Sequence, residues 1–371
     1  MLPHPQDHFL QEGFFRAGHT VRRTRYLFTG GRLWSTVWSR VDLRAFSFRK
    51  SHRKLLRRTL RDYACEVAAY RPRRDQDEVY DVYQRHHPLD IGGSVREVLG
   101  SDHPQSSAFR TYALRVSDAA GKLVAFSCFD VGSDTLASLF AAYRPEVARR
   151  SLGFFTMLAE IEHGARVGLT HYHPGYCVPG SAAFAYKLRL PDLEGRTFLS
   201  EEWRPMSECL TSRLPHELVW ERVAALADEL TRLGIDHEVR HAPLYEIVPH
   251  GNPEFGPFPL PYGIELALPR DSGEVFVGYS PLRQRYECYY GRAVADLRFE
   301  SAYDDLVDQL PSDSDLQLYE GRALLYTAAD EALRALAAHL SPAALAARVA
   351  RVAPGHDGPS DRVVDRRGGQ K

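Results

Sequence analysis

An α+β architecture, a mixed sheet with flanking helices followed by a second α+β domain, is predicted by three features of the sequence. Residues 109–144 read as three strands joined by tight turns, a segment of helical period follows directly, and helix and strand alternate again over residues 215–340. At 371 residues the chain has room for two compact domains of about 100–200 residues each. Its composition, 44% hydrophobic and 26% charged, is that of a globular protein.

The first third carries two strand-like runs, "HTVRRTRYLF" and "RLWSTVWSRVDL", with Thr29-Gly30-Gly31 between them as a hairpin turn. In "FRKSHRKLLRRTLRDY" the cations Arg49, Lys50, Arg53, Lys54, Arg57 and Arg58 recur at spacings of three and four, which puts several on one face of a helix. "DQDEVYDVYQRHHP" reads as a second helix, opened by acidic residues and stopped before Pro88. Next come strand "FRTYALRVSD", turn Ala120-Gly121, strand "KLVAFSCFDV", turn Gly132-Ser133 and strand "TLASLFAAYR". The helix "RRSLGFFTMLAEIEHGARVG" ends at Gly164 or Gly168, and strand "LTHYHPGY", a short helix near Ser181 to Tyr186 and a last strand toward Trp203 complete the series. Downstream, helix "HELVWERVAALADELTRLG", strands near 236–248, 262–268, 274–279, 284–290 and 293–299, and helix "EALRALAAHL" make the second domain, with the Pro-rich loop "PHGNPEFGPFPLPYG" inside it. The boundaries expected are a basic region at 1–106, a core at 107–209, an accessory α+β domain at 210–345 and a disordered tail at 346–371.

Charge is distributed unevenly. The formal net charge is -1, yet residues 15–74 hold 17 Lys or Arg against Asp42, Asp62 and Glu66, a local excess of +14. Such a block reads as a surface for a polyanion, RNA above all. Five dispersed cysteines, Cys65, Cys128, Cys177, Cys209 and Cys288, form no CxxC pair, which argues against a disulfide framework or a closed zinc site. No run approaches about 18 apolar residues, and the first residues lack the layout of a signal peptide, so a soluble cytoplasmic protein is expected.

The order of three strands, helix, strand, short helix and strand resembles the acyltransferase fold typified by N-acetyltransferases (GNAT). Those enzymes hold a pyrophosphate on Arg-x-x-Gly-x-Gly or Ala at the entry to the central helix. Arg150-Ser151-Leu152-Gly153 is similar to its first half, while Phe155 occupies the last position. More specifically, "FRKSHRK", "YQRHHP", "FDVGSDTLASLFAAYRP", "RRSLGFF" and "HYHPGYCVPGSAAFAYK" follow one another as do five segments of the aminoacyl-tRNA–protein transferases, the arginyl and leucyl transferases of the N-degron pathway. The resemblance runs from about Gly13 to Trp203. It departs from the family in lacking the N-terminal Cys-x-x-Cys, in His173-Pro174 within a Tyr-Leu-Gly-Tyr match, in Phe184 for Met, and in Arg144 for an acid.

What the resemblance implies is attack by a protein α-amine on the ester joining an amino acid, arginine or leucine, to the tRNA 3′ ribose. An α-amine has a pKa of about 7.7–8.0, so a neutral fraction exists without a strong base and no Ser-His-Asp triad is needed. Orientation, about 7–11 kcal/mol in favourable cases, and oxyanion stabilisation remain to be supplied. On a plain strand, Tyr172 and Tyr176 share one face and His171 and His173 the other, with Pro174-Gly175 breaking the ladder where a ligand approaches backbone. The resemblance places Tyr172 and Tyr176 at the terminal adenosine, Tyr186 and Lys187 at a phosphate or the acceptor, and Asp130 at the donor α-ammonium or the acceptor amine. Arg150, Ser151 and Gly153 form the donor loop, and Arg49, Lys50, Arg53, Lys54, Arg85 and His86 meet tRNA or an acidic acceptor. Aminoacyl-tRNA and protein N-termini are the implied partners, with neither membrane nor DNA, and neither cofactor nor metal. An acyl-CoA dependent N-acyltransferase and a non-catalytic RNA- or peptide-binding adaptor are the alternative readings.

Overall fold

The computed structural model describes residues 4–29, 32–86, 94–100, 109–200, 202–241, 264–270, 273–282, 284–293, 319–320 and 323–327. Its contacts divide it into two compact units, the first built chiefly on Met1–Glu221.

The first unit begins with α1 (Pro5–Gln11), which has proline in its first turn, where a missing N–H costs nothing. Its Asp7 carboxylate accepts from Ser133 N–H at 2.9 Å and from the Thr135 hydroxyl at 2.6 Å, pinning the helix to a turn of the core. Two hairpins follow, β1 (Phe15–Ala17) with β2 (Thr20–Arg22), and β3 (Tyr26–Thr29) with β4 (Arg32–Ser35). The run "RLWSTVWSRVDL", expected as one strand, divides at Thr36 into β4 and a further strand. That residue bonds back to the chain before β3, N–H to Arg25 O at 3.2 Å and hydroxyl to Thr24 O at 2.6 Å, and β5 (Val37–Asp42) joins the main sheet instead. Helix α2 (Lys50–Asp62) buries His52, Leu55, Leu56 and Thr59, one apolar stripe at helical spacing, and turns its cations outward.

Strand β6 (Ala64–Ala69), α3 (Arg74–Gln84) and α4 (Val95–Leu99) lead to the expected meander β7 (Thr111–Ser117), β8 (Leu123–Val131) and β9 (Thr135–Tyr143). Then come α5 (Leu152–Arg166), β10 (His171–Cys177), two short 3-10 turns at 182–184 and 187–189, β11 (Glu194–Arg196), β12 (Arg204–Pro205) and α6 (Met206–Thr211). The main sheet has eight strands in the order β12-β11-β5-β10-β9-β8-β7-β6. It is mixed: β9 and β10 run parallel, and every other neighbouring pair is antiparallel.

Helices cover both faces. One core joins Leu55 and Leu56 of α2 and Phe155, Leu158 and Ile161 of α5 to Val37, Val41, Leu136 and Tyr172 of the sheet. A second, on the opposite face, packs Val79 and Tyr80 of α3 and Leu99 of α4 on Phe126 and Cys128. Burial on both sides explains why β8 is buried along nearly its whole length.

Beyond lie α7 (Pro215–Arg232), β13 (Glu238–His241), β14 (Ile264–Arg270), β15 (Gly273–Ser280), β16 (Arg285–Ala293), β17 (Tyr319–Glu320) and β18 (Ala323–Thr327), the strands forming a six-stranded sheet. The expected strand at 293–299, the Pro-rich loop, the last helix and the tail lie outside the described residues.

Candidate active site

The main sheet forks between its two parallel strands. β9 and β10 pair only at Thr135↔His171, Leu136↔Tyr172 and Ala137↔His173. Just past this point each strand is irregular on its other side: β9 against β8 between Ser138 and Phe140, and β10 against β5 between Tyr172 and Gly175. In β10 the cause is legible: Pro174 has no N–H to give a ladder, and Gly175 takes φ +85°, a conformation that favours glycine.

The irregularity in β10 adds one residue and so reverses the phase of the strand. Tyr172 pairs with Val41 and points to the α5 core, whereas Tyr176 pairs with Trp38 and points to the opposite face. This corrects the expectation that the two tyrosines share a face. It also corrects the role expected of Tyr172: the ring is 0% exposed and its hydroxyl donates to Glu160 Oε2 at 2.8 Å, which leaves no surface for an adenosine. Tyr176 instead sits on the histidine side, half-buried against Trp38 at 5.6 Å and Phe15 at 5.7 Å between centroids. His173 is buried against Trp203 with its Nε2 unpartnered among the described residues, and desolvation holds its imidazole down at about 3, neutral at all ordinary pH.

Lys187 reaches the fork from the second 3-10 turn. Its ammonium donates to the Tyr176 carbonyl at 2.9 Å and stands 5.5 Å from the Phe184 ring centroid and 5.7 Å from that of Tyr176. A Cβ on Gly175 would lie 3.3 Å from it. Desolvation lowers the Lys187 pKa, with the Cys177 thiol opposing. Tyr186 leaves 40% of its surface exposed, yet desolvation raises its phenol, with Cys177, Glu160 and Tyr143 adding to the effect. Tyr143 in turn stacks obliquely on Tyr83 at 4.9 Å.

At the mouth of the fork begins α5. Ser151 holds a left-handed conformation at φ 59°, rare for a residue other than glycine, and caps nothing with its side chain. Gly153 approaches the Tyr143 ring closely enough that a Cβ would stand 3.4 Å from it. Arg150 ties this loop to α2: its carbonyl accepts from Arg58 at 3.2 Å and its guanidinium lies 3.5 Å from Asp62.

Asp130 occupies a different place from the one expected. It is 1% exposed, ion-paired with Arg16 at 3.0 Å and accepting from the Thr111 hydroxyl at 2.6 Å. Burial raises its pKa against the pull of Arg16 and Thr111. A carboxylate so engaged is not free to meet an amine. The pair nevertheless floors a narrow cleft walled by Phe9, Phe14, Phe15 and Phe109. The cleft also touches Ala137, the last residue of β9 that pairs with β10. Arg16, which sequence reasoning missed, lies 114 positions from its partner.

The cations Arg49, Lys50, Arg53 and Lys54 are exposed along α2, and Arg85 and His86 are exposed at the end of α3. Ring contacts lead from α2 toward the fork: His52 against Phe154 at 5.7 Å, and Arg189, two residues after Lys187, over Phe154 at 4.2 Å. From the other side Tyr83 and Tyr143 connect the end of α3 to the α5 entry. Glu160, also missed, is buried beneath the fork with a carboxyl pushed up to about 7 by desolvation, against hydrogen bonds from Ser127 and Tyr172. Among the described residues no group of three His, Cys, Asp or Glu could hold a metal, and burial pushes the Cys177 thiol up, away from a nucleophilic thiolate. No helix among them is long and apolar enough to cross a membrane.

A forked mixed sheet, with a desolvated lysine and phenols at the fork and a cationic helix beside it, defines the class: an α+β protein with a large mixed sheet flanked by helices. Known proteins make it specific. Residues 60–195 match the family described as arginine-tRNA-protein transferase, C terminus. The aspartate/glutamate leucyltransferase of Phenylobacterium zucineum (strain HLK1) is 32% identical over 181 residues, covering 46% of this chain and 68% of that protein. That of Xanthomonas axonopodis pv. citri (strain 306) is 31% identical over 173 residues, covering 44% and 67%. Among solved structures, L-PGS from Bacillus licheniformis aligns over 46% of this chain and 48% of that one at 15% identity and a TM-score of 0.31, too slight a likeness to carry an argument. The chain belongs to the aminoacyl-tRNA–protein transferase family.

Proposed function

We propose that the protein transfers an amino acid from charged tRNA to the α-amine of protein N-termini, in the cytoplasm, and that its core at 107–209 is a GNAT-like acyltransferase fold served by the basic region at 1–106, with 210–345 as an accessory domain. The observation that carries this reading is the fork itself. Beyond His173 the β9 side of β10 has no ladder partner among the described residues, the Tyr176 carbonyl accepts from Lys187, and the helix entry Arg150-Ser151-Gly153 lies at the mouth. In this reading the charged 3′ end enters past α5, Tyr176, Tyr186 and Lys187 orient the ester and the amine, and α2 with Arg85 and His86 follows the tRNA backbone. Tyr172 and Asp130 act from behind, by holding the two strands in place.

Leucine is favoured over arginine as the donated residue, in keeping with the leucyltransferase names of the relatives.

The test is to incubate the protein with peptides bearing each of the twenty N-terminal residues and with leucyl- and arginyl-tRNA, with and without ribonuclease. Leucyl transfer abolished by ribonuclease is the expected result. Acylation driven by acetyl-CoA, or binding of charged tRNA without transfer, overturns the reading.

A further inference from the structure

The first turn of α2 goes against the electrostatics of a helix. The positive end of a helix dipole favours acids, yet this turn holds none: Arg49 is the N-cap, Lys50 the first helical residue, and no side chain caps an N–H. Arg49 and Lys50 are exposed and make no ion pair among the described residues. Within the turn His52 is 4% exposed, and its Nδ1 has no hydrogen-bond partner among the described residues. Desolvation lowers its pKa, and Arg49 and Arg189 add to the effect.

Arg189 is brought to this turn from far along the chain. The 3-10 turn at 187–189 has Lys187 at one end and Arg189 at the other. Lys187 donates to the Tyr176 carbonyl at 2.9 Å, at the fork, while the Arg189 guanidinium lies over the Phe154 ring at 4.2 Å. Phe154, in the first turn of α5 and 4% exposed, packs edge-on against His52 with centroids 5.7 Å apart. Through that pair of ring contacts Arg189 joins the first turn of α2. It is exposed, and its guanidinium makes neither a hydrogen bond nor an ion pair among the described residues. A planar guanidinium backed by a buried ring keeps its outer face and its N–H edge free. Cations gathered at the positive end of a helix with no acid among them repel one another, and an external anion relieves that repulsion.

We propose that Arg189 and the first turn of α2 form a phosphate-binding site for the single-stranded 3′ end of tRNA, with Arg189 gripping the strand nearest the fork; this rests on the aminoacyl-transfer reading. Phosphates of the strand meet Arg49, Lys50 and the first N–H groups of α2, which have no partner inside the helix, and then the Arg189 guanidinium, on whose open face a base stacks. Because Lys187 and Arg189 share one turn, a strand held at Arg189 brings its terminal ester to the Tyr176 end of the fork.

Binding and transfer separate the outcomes. Fluorescence anisotropy uses an uncharged leucine-accepting tRNA, either intact or shortened by its single-stranded 3′ nucleotides. The wild type is expected to lose about tenfold in affinity on shortening. Arg189→Met is expected to bind the intact tRNA about tenfold more weakly, to lower the slope of log affinity against log salt by about 0.7, and to be indifferent to shortening. Arg189→Gln carries this arm if the methionine variant does not melt like wild type. Shortening that costs wild type and variant the same, or costs neither anything, overturns the site whatever the protein transfers. In the transfer assay Arg189→Met is expected to raise the KM for charged tRNA about tenfold with kcat within about twofold of wild type. Transfer by the wild type with no binding change at Arg189 refutes the site and leaves the functional reading standing. Absence of transfer, with a 3′-dependent loss of binding at Arg189, refutes the functional reading alone.

Discussion

Replacing Glu160 by glutamine takes one titrating group out of the core, and the effect on stability depends on pH in a calculable way. In the folded protein the carboxyl stands at about 7, against an ordinary 4.5. The gap of about 2.5 pH units, at about 1.4 kcal/mol each, corresponds to about 3 kcal/mol. Its sign follows from the direction. A folded value above the unfolded one means that the native state holds the proton more tightly, so the contribution is fully present below about pH 4.5 and is lost as pH rises through 7. Tyr172 and Tyr186 on its own side of the sheet, and Cys128 on the other, are all raised by burial and titrate above this window. Paired urea titrations of wild type and Glu160→Gln, followed by circular dichroism at about pH 5 and pH 8, measure the difference directly. The advantage of wild type over the variant is expected to shrink by about 3 kcal/mol between the two. A difference equal at both pH values to within about 0.5 kcal/mol refutes the reasoning.

Gly175→Ala places a side chain in a left-handed conformation, at a cost of about 1–2 kcal/mol, and presses on the Lys187 ammonium 3.3 Å away. Transfer is expected to fall by more than the loss of folded protein explains; full activity at an unchanged melting temperature counts against the fork as the site. Asp130→Ala strands the buried Arg16 guanidinium and is expected to cost about 3–5 kcal/mol in a melting experiment. A neutral result there means that the ion pair is not what holds β7, β8 and the first hairpin together. Changing Lys50, Arg53 and Lys54 together to glutamine leaves stability nearly unaltered, since all three are exposed, and lowers the slope of log affinity for tRNA against log salt by about 0.7–0.9 per phosphate contact removed. An unchanged slope excludes α2 from the tRNA surface.

Much of the fold is legible in the sequence, for reasons that can be named. Ala120-Gly121 and Gly132-Ser133 punctuate the β7–β9 meander, and the stripe His52, Leu55, Leu56, Thr59 fixes which side of α2 faces out. Strand β6 was not anticipated because it is an edge strand, half-exposed and without clean alternation. The site divides along similar lines. Lys187 and Tyr186 are legible through the family resemblance, as the close of the segment "HYHPGYCVPGSAAFAYK". Arg16 escapes because its partner is distant in the chain, and Glu160 because a single acid on a helix looks like an outward-facing residue until its own side of that helix is found to be covered. The phase of Tyr176 was misread since simple alternation cannot register an extra residue.

That extra residue makes β10 two half-strands of opposite parity joined at Pro174. Shortening the chain there by one position would bring the halves back into step, sending the Tyr176 ring inward and turning the Cys177 thiol out beside Trp38. In any ungapped alignment across this strand, residues in the same column downstream of the joint therefore face different compartments, and only neighbours carrying the same insertion can be compared side chain for side chain.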